Sequence, residues 1–208
     1  MRFQRFRMFQ AFPGFFGFVV LLLMLGVGLA GQDAKPVRVL IQTEAGEIEA
    51  EIDTVRAPIT GANFLKYVDA GLFDGGRFFR TVRPDNQVEK PVKIAVIQAS
   101  GSRDKRAQFF PPIPLERTNV TGITHKDGTL SMARSTPDTA RDSFSIVVGD
   151  QPSMDFGGAR QPDGQGFAAF GQVVRGMDVV RKIQMGAAEG ETLTPAIGIV
   201  SIKRAGPR

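Results

Sequence analysis

Along most of the chain, apolar and polar residues alternate with a period of two, as in strands with one buried face. Val37, Val39 and Ile41 alternate with Arg38 and Gln42, which predicts a strand over 37–43. Ala45-Gly46 supplies a turn. Ile48, Ala50 and Ile52 then alternate with Glu47, Glu49, Glu51 and Asp53, so a second strand folds back on the first. At Pro58 the period changes: Ile59, Ala62, Phe64, Leu65, Val68 and Leu72 form a helical stripe with Gly71 at its end. Further strands are predicted over 77–82, 92–99, 128–134, 143–148, 167–174 and 197–203, with Phe144, Ile146 and Val148 sharing one face. Met177, Val180 and Ile183 mark a second short helix over 177–185, and 103–114 reads as a long loop. Many short strands, glycine-rich connections and only two helices point to an antiparallel barrel or sandwich. Gly75-Gly76 and Gly157-Gly158 do not lie between a strand and a helix start, so they read as turns and not as phosphate cradles.

Residues 1–30 break this pattern. Arg2, Arg5 and Arg7 come first without an acid, an apolar run covers 15–29, and Gly28 and Ala30 put small residues where a signal peptidase reads. This is the order of a secretory leader. It predicts an exported protein, periplasmic or secreted, whose mature chain begins near Gly31. The alternative is an uncleaved anchor in the inner membrane, the only route by which a membrane would become a partner. The apolar run, about fifteen residues, is shorter than the roughly twenty that a spanning helix needs. The chain thus divides into a leader or anchor at 1–30, a linker at 31–36, one domain at 37–204 and a tail at 205–208.

Composition narrows the chemistry. The 208 residues carry a formal charge of +5, which falls to +2 once the three arginines of the leader are set aside. No basic stripe with interleaved aromatics follows, so nucleic acid is not an expected partner. There is no Cys and a single His, His125, which excludes Cys-based zinc sites, His-rich metal sites and a catalytic thiol. A Ser-His-Asp triad would need His125, which sits in a turn-like His-Lys-Asp-Gly segment, and no Gly-x-Ser-x-Gly elbow is present. No cofactor is expected, and the domain is expected to be a monomer.

Four stretches occur in an order that resembles the cyclophilins: Phe78-Phe79-Arg80, Val96-Ile97-Gln98, Gly128-Thr129-Leu130-Ser131-Met132-Ala133-Arg134, and the run from Phe170-Gly171-Gln172 to Val180. Ala62-Asn63-Phe64 and Pro112-Ile113-Pro114-Leu115-Glu116 fall in family order beside them, and the resemblance runs from about Val37 to Arg204. It implies an all-β-dominated fold: a closed eight-stranded antiparallel barrel with two capping α-helices and a groove for prolyl peptides on its outer face. The activity it implies is peptidyl-prolyl cis/trans isomerisation of X-Pro bonds in exported or unfolded polypeptides. The alternative is a cyclophilin-like module that holds proline-containing clients with weak or no turnover.

Carried onto this sequence, the resemblance implies catalytic roles for Arg80 and for Gln98, which would hold the substrate backbone. It puts Val96, Ala133, Arg134, Ser145, Met154 and Phe167 on substrate-binding positions, with Ala133 and Arg134 on the segment whose main chain pairs with the peptide. The sequence also departs from the family. Phe79 stands where a His is usual, about ten residues around 83–93 are inserted between the arginine and glutamine strands, and Ala95, Ser145 and Ser153 replace large aromatics. Alternation sets Arg80 opposite a face shared by Phe79 and Thr81, and puts Gln98 on one face with Val96 and Ile94. Taken by residue type alone, Arg80 is equally a surface charge, Gln98 a strand-end polar group and Ser145 a solvated outer position. Met154 and Phe167 are equally packing residues, and His125 reads as a turn residue. Bond rotation needs no nucleophile or metal, only a donor that binds the twisted amide better than the planar one. A guanidinium offers such donors in a fixed fork.

Overall fold

The computed structural model describes residues 35–206, and its first element is the predicted hairpin. β1 (Val37–Thr43) and β2 (Gly46–Ile52) pair antiparallel, with Val39 opposite Ala50 and Ile41 opposite Ile48. Thr43 fastens the turn: its hydroxyl donates to the Gly46 carbonyl at 2.7 Å and accepts from the Ala45 N–H at 3.1 Å. The remaining strands are β3 (Arg77–Val82), β4 (Val96–Ser100), β5 (Thr129–Met132), β6 (Phe144–Val147), β7 (Ala168–Arg175), β8 (Ala188–Glu189) and β9 (Thr192–Arg204). Among the described residues, eight strands close a ring in the order β1-β2-β7-β5-β6-β4-β3-β9, and β9 returns to β1 through pairs such as Ile41–Ile202. β8 is a two-residue partner of β9 alone. The expected closed, antiparallel eight-stranded barrel is the observed fold.

Aromatic side chains fill the barrel. Phe64 reaches in from α1 (Pro58–Asp69) and meets Phe73, Phe144 and Phe170 with ring centroids 5.1, 5.2 and 5.2 Å away, all in tilted or edge-on contact. Val180 and Ile183 of α3 (Met177–Gln184) are buried as their spacing predicts. A single helical turn, α2 (Thr118–Thr121), lies between. The first turn of α1 has no side-chain cap of its own. Glu116, far along the chain, accepts from the N–H groups of Ile59 and Thr60 at 3.1 and 2.6 Å and does that work.

Several elements differ from their predicted form. The predicted stripe holds at Phe64, Leu65 and Val68, which are buried, but Ile59 and Ala62 lie exposed, and α1 buries Thr60, Asn63 and Tyr67 in their place. Asn63 and Tyr67 are accommodated there because the loops laid over the helix bring carbonyls that need donors. Asn63 Nδ2 donates to Arg141 O at 2.6 Å, and the Tyr67 hydroxyl donates to Phe110 O at 3.3 Å. The strand predicted over 92–99 begins only at Val96. Ahead of it the buried Gln87 amide replaces a ladder, donating to Ile94 O at 2.7 Å and accepting from Ile94 N at 3.3 Å. β5 ends at Met132, which leaves Ala133 and Arg134 outside it, and the last strand starts at Thr192 because β8 supplies it with a partner. The leader or anchor expected at 1–30 lies outside the described residues. Among the described residues no helix is long and apolar enough to cross a membrane.

Phe64 is the side chain on which the barrel interior converges. Phe64→Ala should cost about 3–5 kcal/mol of unfolding free energy in urea melts, whereas Ile59→Ala on the exposed side of the same helix should stay within about 0.5 kcal/mol.

Candidate active site

β3 carries one residue more than β4 can match. Phe78 opposes Ala99 and Arg80 opposes Gln98, so Phe79 has no counterpart. The bulge breaks the alternation expected from sequence. Phe78 and Thr81 are fully buried, the Thr81 hydroxyl donating to Gln184 O at 2.7 Å, while Phe79 and Arg80 are both partly exposed. Phe79 therefore does not share a face with Thr81. It borders a smaller hollow beside Ser143 and Phe109.

On the outer face the register sets Arg80, Gln98, Ser145 and Ser131 side by side across β3, β4, β6 and β5. The next row along is apolar: Val82, Val96 and Val147 pack with Ile94 and Met154, and Phe167 leans on them. Polar row and apolar wall bound a groove of about 380 Å³. Arg80, Gln98, Val96, Ala133, Arg134, Ser145, Met154 and Phe167 all line it, so the structure brings together every residue that the resemblance singled out.

Arg80 is held on two sides. Its Nε donates to Glu191 Oε2 at 2.9 Å, its Nη2 donates to the same oxygen, and its Nη1 donates to Gln98 Oε1 at 2.8 Å. The Gln98 amide is fixed in turn, Nε2 donating to Ser143 Oγ at 3.0 Å and that hydroxyl donating to Ala99 O at 2.9 Å. Three of the five guanidinium N–H groups are thus committed, and one on each Nη is left. Glu191 sits in the hairpin between β8 and β9, whose backbone is pinned to β3 by the Thr81 N–H bond to Glu191 O at 2.9 Å.

Arg134 plays a different part. Its guanidinium is 1 % exposed and forms a two-pronged pair with Asp163 at 2.8 and 2.9 Å, while Nε donates to Gly166 O at 2.8 Å. The guanidinium carbon lies 5.3 Å from the centre of the Phe167 ring, so Arg134 braces that ring. The charge-assisted bonds from Arg134, helped by the Gln165 N–H, hold the Asp163 carboxyl down at about 2. Ala133 spends its N–H on Ser143 O at 2.9 Å. The Arg134 N–H and the Ala133 carbonyl have no hydrogen-bond partner among the described residues.

His125 is not a turn residue. It is 1 % exposed, with Nδ1 2.6 Å from Asp155 Oδ1 and Nε2 2.8 Å from Ser131 Oγ. Its backbone N–H donates to the same Asp155 oxygen at 3.1 Å, and its carbonyl accepts from Gln151 N at 2.8 Å. Ser, His and Asp do line up here, but Ser131 is itself 1 % exposed, so its hydroxyl lacks the access that attack on a substrate carbonyl needs. The arrangement is a brace that ties the 151–155 loop, with Met154 in it, to the groove floor. Burial pushes the His125 pKa below its ordinary 6.5, against the opposing pull of Asp155. A neutral ring donates from Nδ1 to the carboxylate and accepts the Ser131 hydroxyl at Nε2.

Sequence reasoning also missed Glu191, Gln87 and Arg160. Arg160 Nη1 donates to Gln87 Oε1 at 2.7 Å and to Val92 O at 2.6 Å, joining the loop after Met154 to the segment around 83–95. These partners stand 73 and 68 residues away along the chain, and Glu191 stands 111 from Arg80, so no local pattern reports them.

Comparison with known proteins gives consistent matches. The family model described as cyclophilin type peptidyl-prolyl cis-trans isomerase/CLD matches residues 38–204. The peptidyl-prolyl cis-trans isomerase A of Dickeya dadantii is 37% identical over 148 residues, 70% of this chain and 70% of that protein. The peptidyl-prolyl cis-trans isomerase B of Escherichia coli is 32% identical over 155 residues, 74% of this chain and 87% of that protein. Among solved structures, a cyclophilin type peptidyl-prolyl cis-trans isomerase of Cryptosporidium parvum superposes with a TM-score of 0.63 over 83% of this chain and 99% of that one. At 16% identity that likeness speaks to the fold.

The brace predicts a pH dependence. An unfolded His binds a proton below about 6.5, while the buried ring resists it, so the unfolded state holds more protons in that window and stability falls as pH drops through it. The fall ends once the folded ring is itself protonated. Melting temperatures measured from pH 8 down to about pH 5 should therefore decline less in His125→Asn than in wild type.

Proposed function

The chain belongs to the cyclophilin-type peptidyl-prolyl cis-trans isomerases, and we propose that it turns X-Pro bonds in the groove beside Arg80 and Gln98. The carrying observation is a guanidinium clamped by Glu191 and Gln98, with two N–H groups left, beside an apolar wall of Val96, Met154 and Phe167.

Delocalisation of the nitrogen lone pair into the carbonyl gives a peptide bond a rotation barrier of about 18–20 kcal/mol. Uncatalysed X-Pro isomerisation consequently takes tens to hundreds of seconds, of the order of minutes. Twisting breaks that delocalisation. The proline nitrogen becomes pyramidal and its lone pair becomes an acceptor that the planar amide lacks. A donor held where the lone pair emerges binds the twisted state more tightly, which is the condition for catalysis. Arg80 meets it without titrating, because a guanidinium stays charged, and without reorganising, because Glu191 and Gln98 already hold it. Gln98 keeps one Nε2 hydrogen beyond the bond to Ser143, which suits it to a peptide carbonyl next to the proline. The apolar wall takes the pyrrolidine ring, with Phe167 kept upright by Arg134. The unpartnered Arg134 N–H and Ala133 carbonyl suit the extended main chain of a client. Ser145 and Ser131 floor the groove where a larger side chain would narrow it, the Ser131 hydroxyl being turned to His125, so the wall alone supplies grip on the ring.

We also infer that the clients are exported or unfolded polypeptides and that the protein works outside the cytoplasm. The arginine-rich start and the apolar run at 15–29 support this.

Arg80→Ala should lower kcat/KM on proline peptides by roughly two to three orders of magnitude, about 3–4 kcal/mol of transition-state stabilisation, and peptide affinity by much less. Arg80→Lys should restore little of the loss, because an ammonium lacks the planar fork. Full turnover in well-folded Arg80→Ala would defeat the assignment. For export, mass spectrometry of the native protein should find an N-terminus near Gly31, and an intact Met1 would instead support the anchor.

A further inference from the structure

The groove carries an unbalanced charge. Arg80, Lys90, Arg134 and Arg160 line it, and no Asp or Glu does so among the described residues. Glu191 and Asp163 pair with Arg80 and Arg134 and offset their charge. Lys90 and Arg160 form no ion pair with a carboxylate among the described residues.

Arg160 is the more telling of the two. It is half-buried, and its bonds are made by Nη1 alone, to the neutral oxygens of Gln87 and Val92. Its Nε and Nη2 have no partner among the described residues. Burial and the neighbouring positive charge of Arg80 both push its pKa down, which marks a cation lacking compensation, and Glu191 offsets this only in part. Because Gln87 is itself locked by bonds to Arg83 O and Ile94 O, both 2.7 Å, the guanidinium is already immobilised, and a ligand need not order it.

We propose that this groove selects proline segments carrying Asp or Glu within two positions of the proline, with Arg160 as the specificity-determining residue and Lys90 adding attraction from the rim. The inference rests on the reading of the groove as the prolyl site. A client carboxylate would accept from the unspent edge of Arg160 and supply the negative charge that the groove lacks. A Lys or Arg in the same place would face Arg160 and Lys90, the two groove cations without a carboxylate partner among the described residues.

The test is turnover, by NMR exchange spectroscopy, of short peptides with one central proline in which each of the two residues on either side is in turn Ala, Glu, Gln or Lys. At low salt, Glu at one or more of these positions should raise kcat/KM over Gln by about three- to tenfold, Lys should lower it, and the spread should shrink in 0.5 M salt. The Glu-to-Gln ratio should collapse toward one in Arg160→Gln, fall in Lys90→Gln and survive in Arg160→Lys. Since Arg160→Gln also loosens the tie to Gln87, the ratio within each variant is the readout, and Lys90→Gln, on an exposed side chain, is the second arm. Turnover that ignores flanking charge overturns the proposal and leaves the prolyl site standing. No turnover of any peptide defeats the catalytic reading, and NMR titration of the same peptides then decides the proposal by whether the Glu series binds more tightly than the Gln series.

Discussion

A single surplus residue in β3 orients the outer face of the barrel. Phe78 and Thr81 must both lie buried, one in the aromatic interior and one bonded to Gln184, yet they stand three positions apart, and a regular strand would put them on opposite faces. The bulge at Phe79 absorbs the mismatch. Its by-product is that Arg80 turns out toward Gln98 and Glu191. Without it the guanidinium would be driven into an interior of Phe64, Phe73 and Phe144, where an unpaired charge is severely destabilising. Packing inside the barrel thus decides the aim of the one side chain outside it that the chemistry requires.

The groove is completed by segments that lack ladder bonds, and buried side chains replace those bonds. Gln87 holds the 83–95 segment by its amide, His125 holds the 151–155 loop by its ring, and Arg160 joins the first segment to the loop that follows the second. A buried donor or acceptor that loses its partner costs about 1–3 kcal/mol, more for a charged group. Each of these residues therefore fixes a loop conformation as firmly as a strand pairing would. Where the groove needs a shape that no regular strand supplies, such side chains build it.

The barrel was legible in the sequence because apolar and polar residues alternate along its strands, so that Val39, Ile41, Phe144 and Ile146 write the period of two directly. The bulge was not, since Phe-Phe-Arg-Thr satisfies an alternating reading and a bulged one alike. The exposed flank of α1 was misread because hydrophobicity alone ranks Ile59 above Asn63, while the carbonyls arriving from Phe110 and Arg141 reverse the order. The groove residues were found by ordered resemblance, and no periodicity would have singled them out. Glu191 and Arg160 stayed hidden because each acts on partners distant in the chain, and His125 because its ring joins Ser131, six residues on, to Asp155, thirty residues on; a lone polar residue carries no mark of the contact it will make.

Glu191 arrives late. It lies in the hairpin that leads into β9, and β9 is the strand that closes the ring against β1, with Ile41 meeting Ile202 and the Ala205 N–H meeting Arg38 O at 2.9 Å. As the chain is made, Arg80, Gln98, Ser145 and Met154 all exist well before the carboxylate that orients the first of them. Pairings this remote in sequence form slowly, because the intervening loop must be ordered before any contact repays it. The central donor of the groove thus takes one of its two fixed partners, Gln98, from the neighbouring strand and the other from the last hairpin of the barrel, so the aim of Arg80 ties the first half of the domain to its final element.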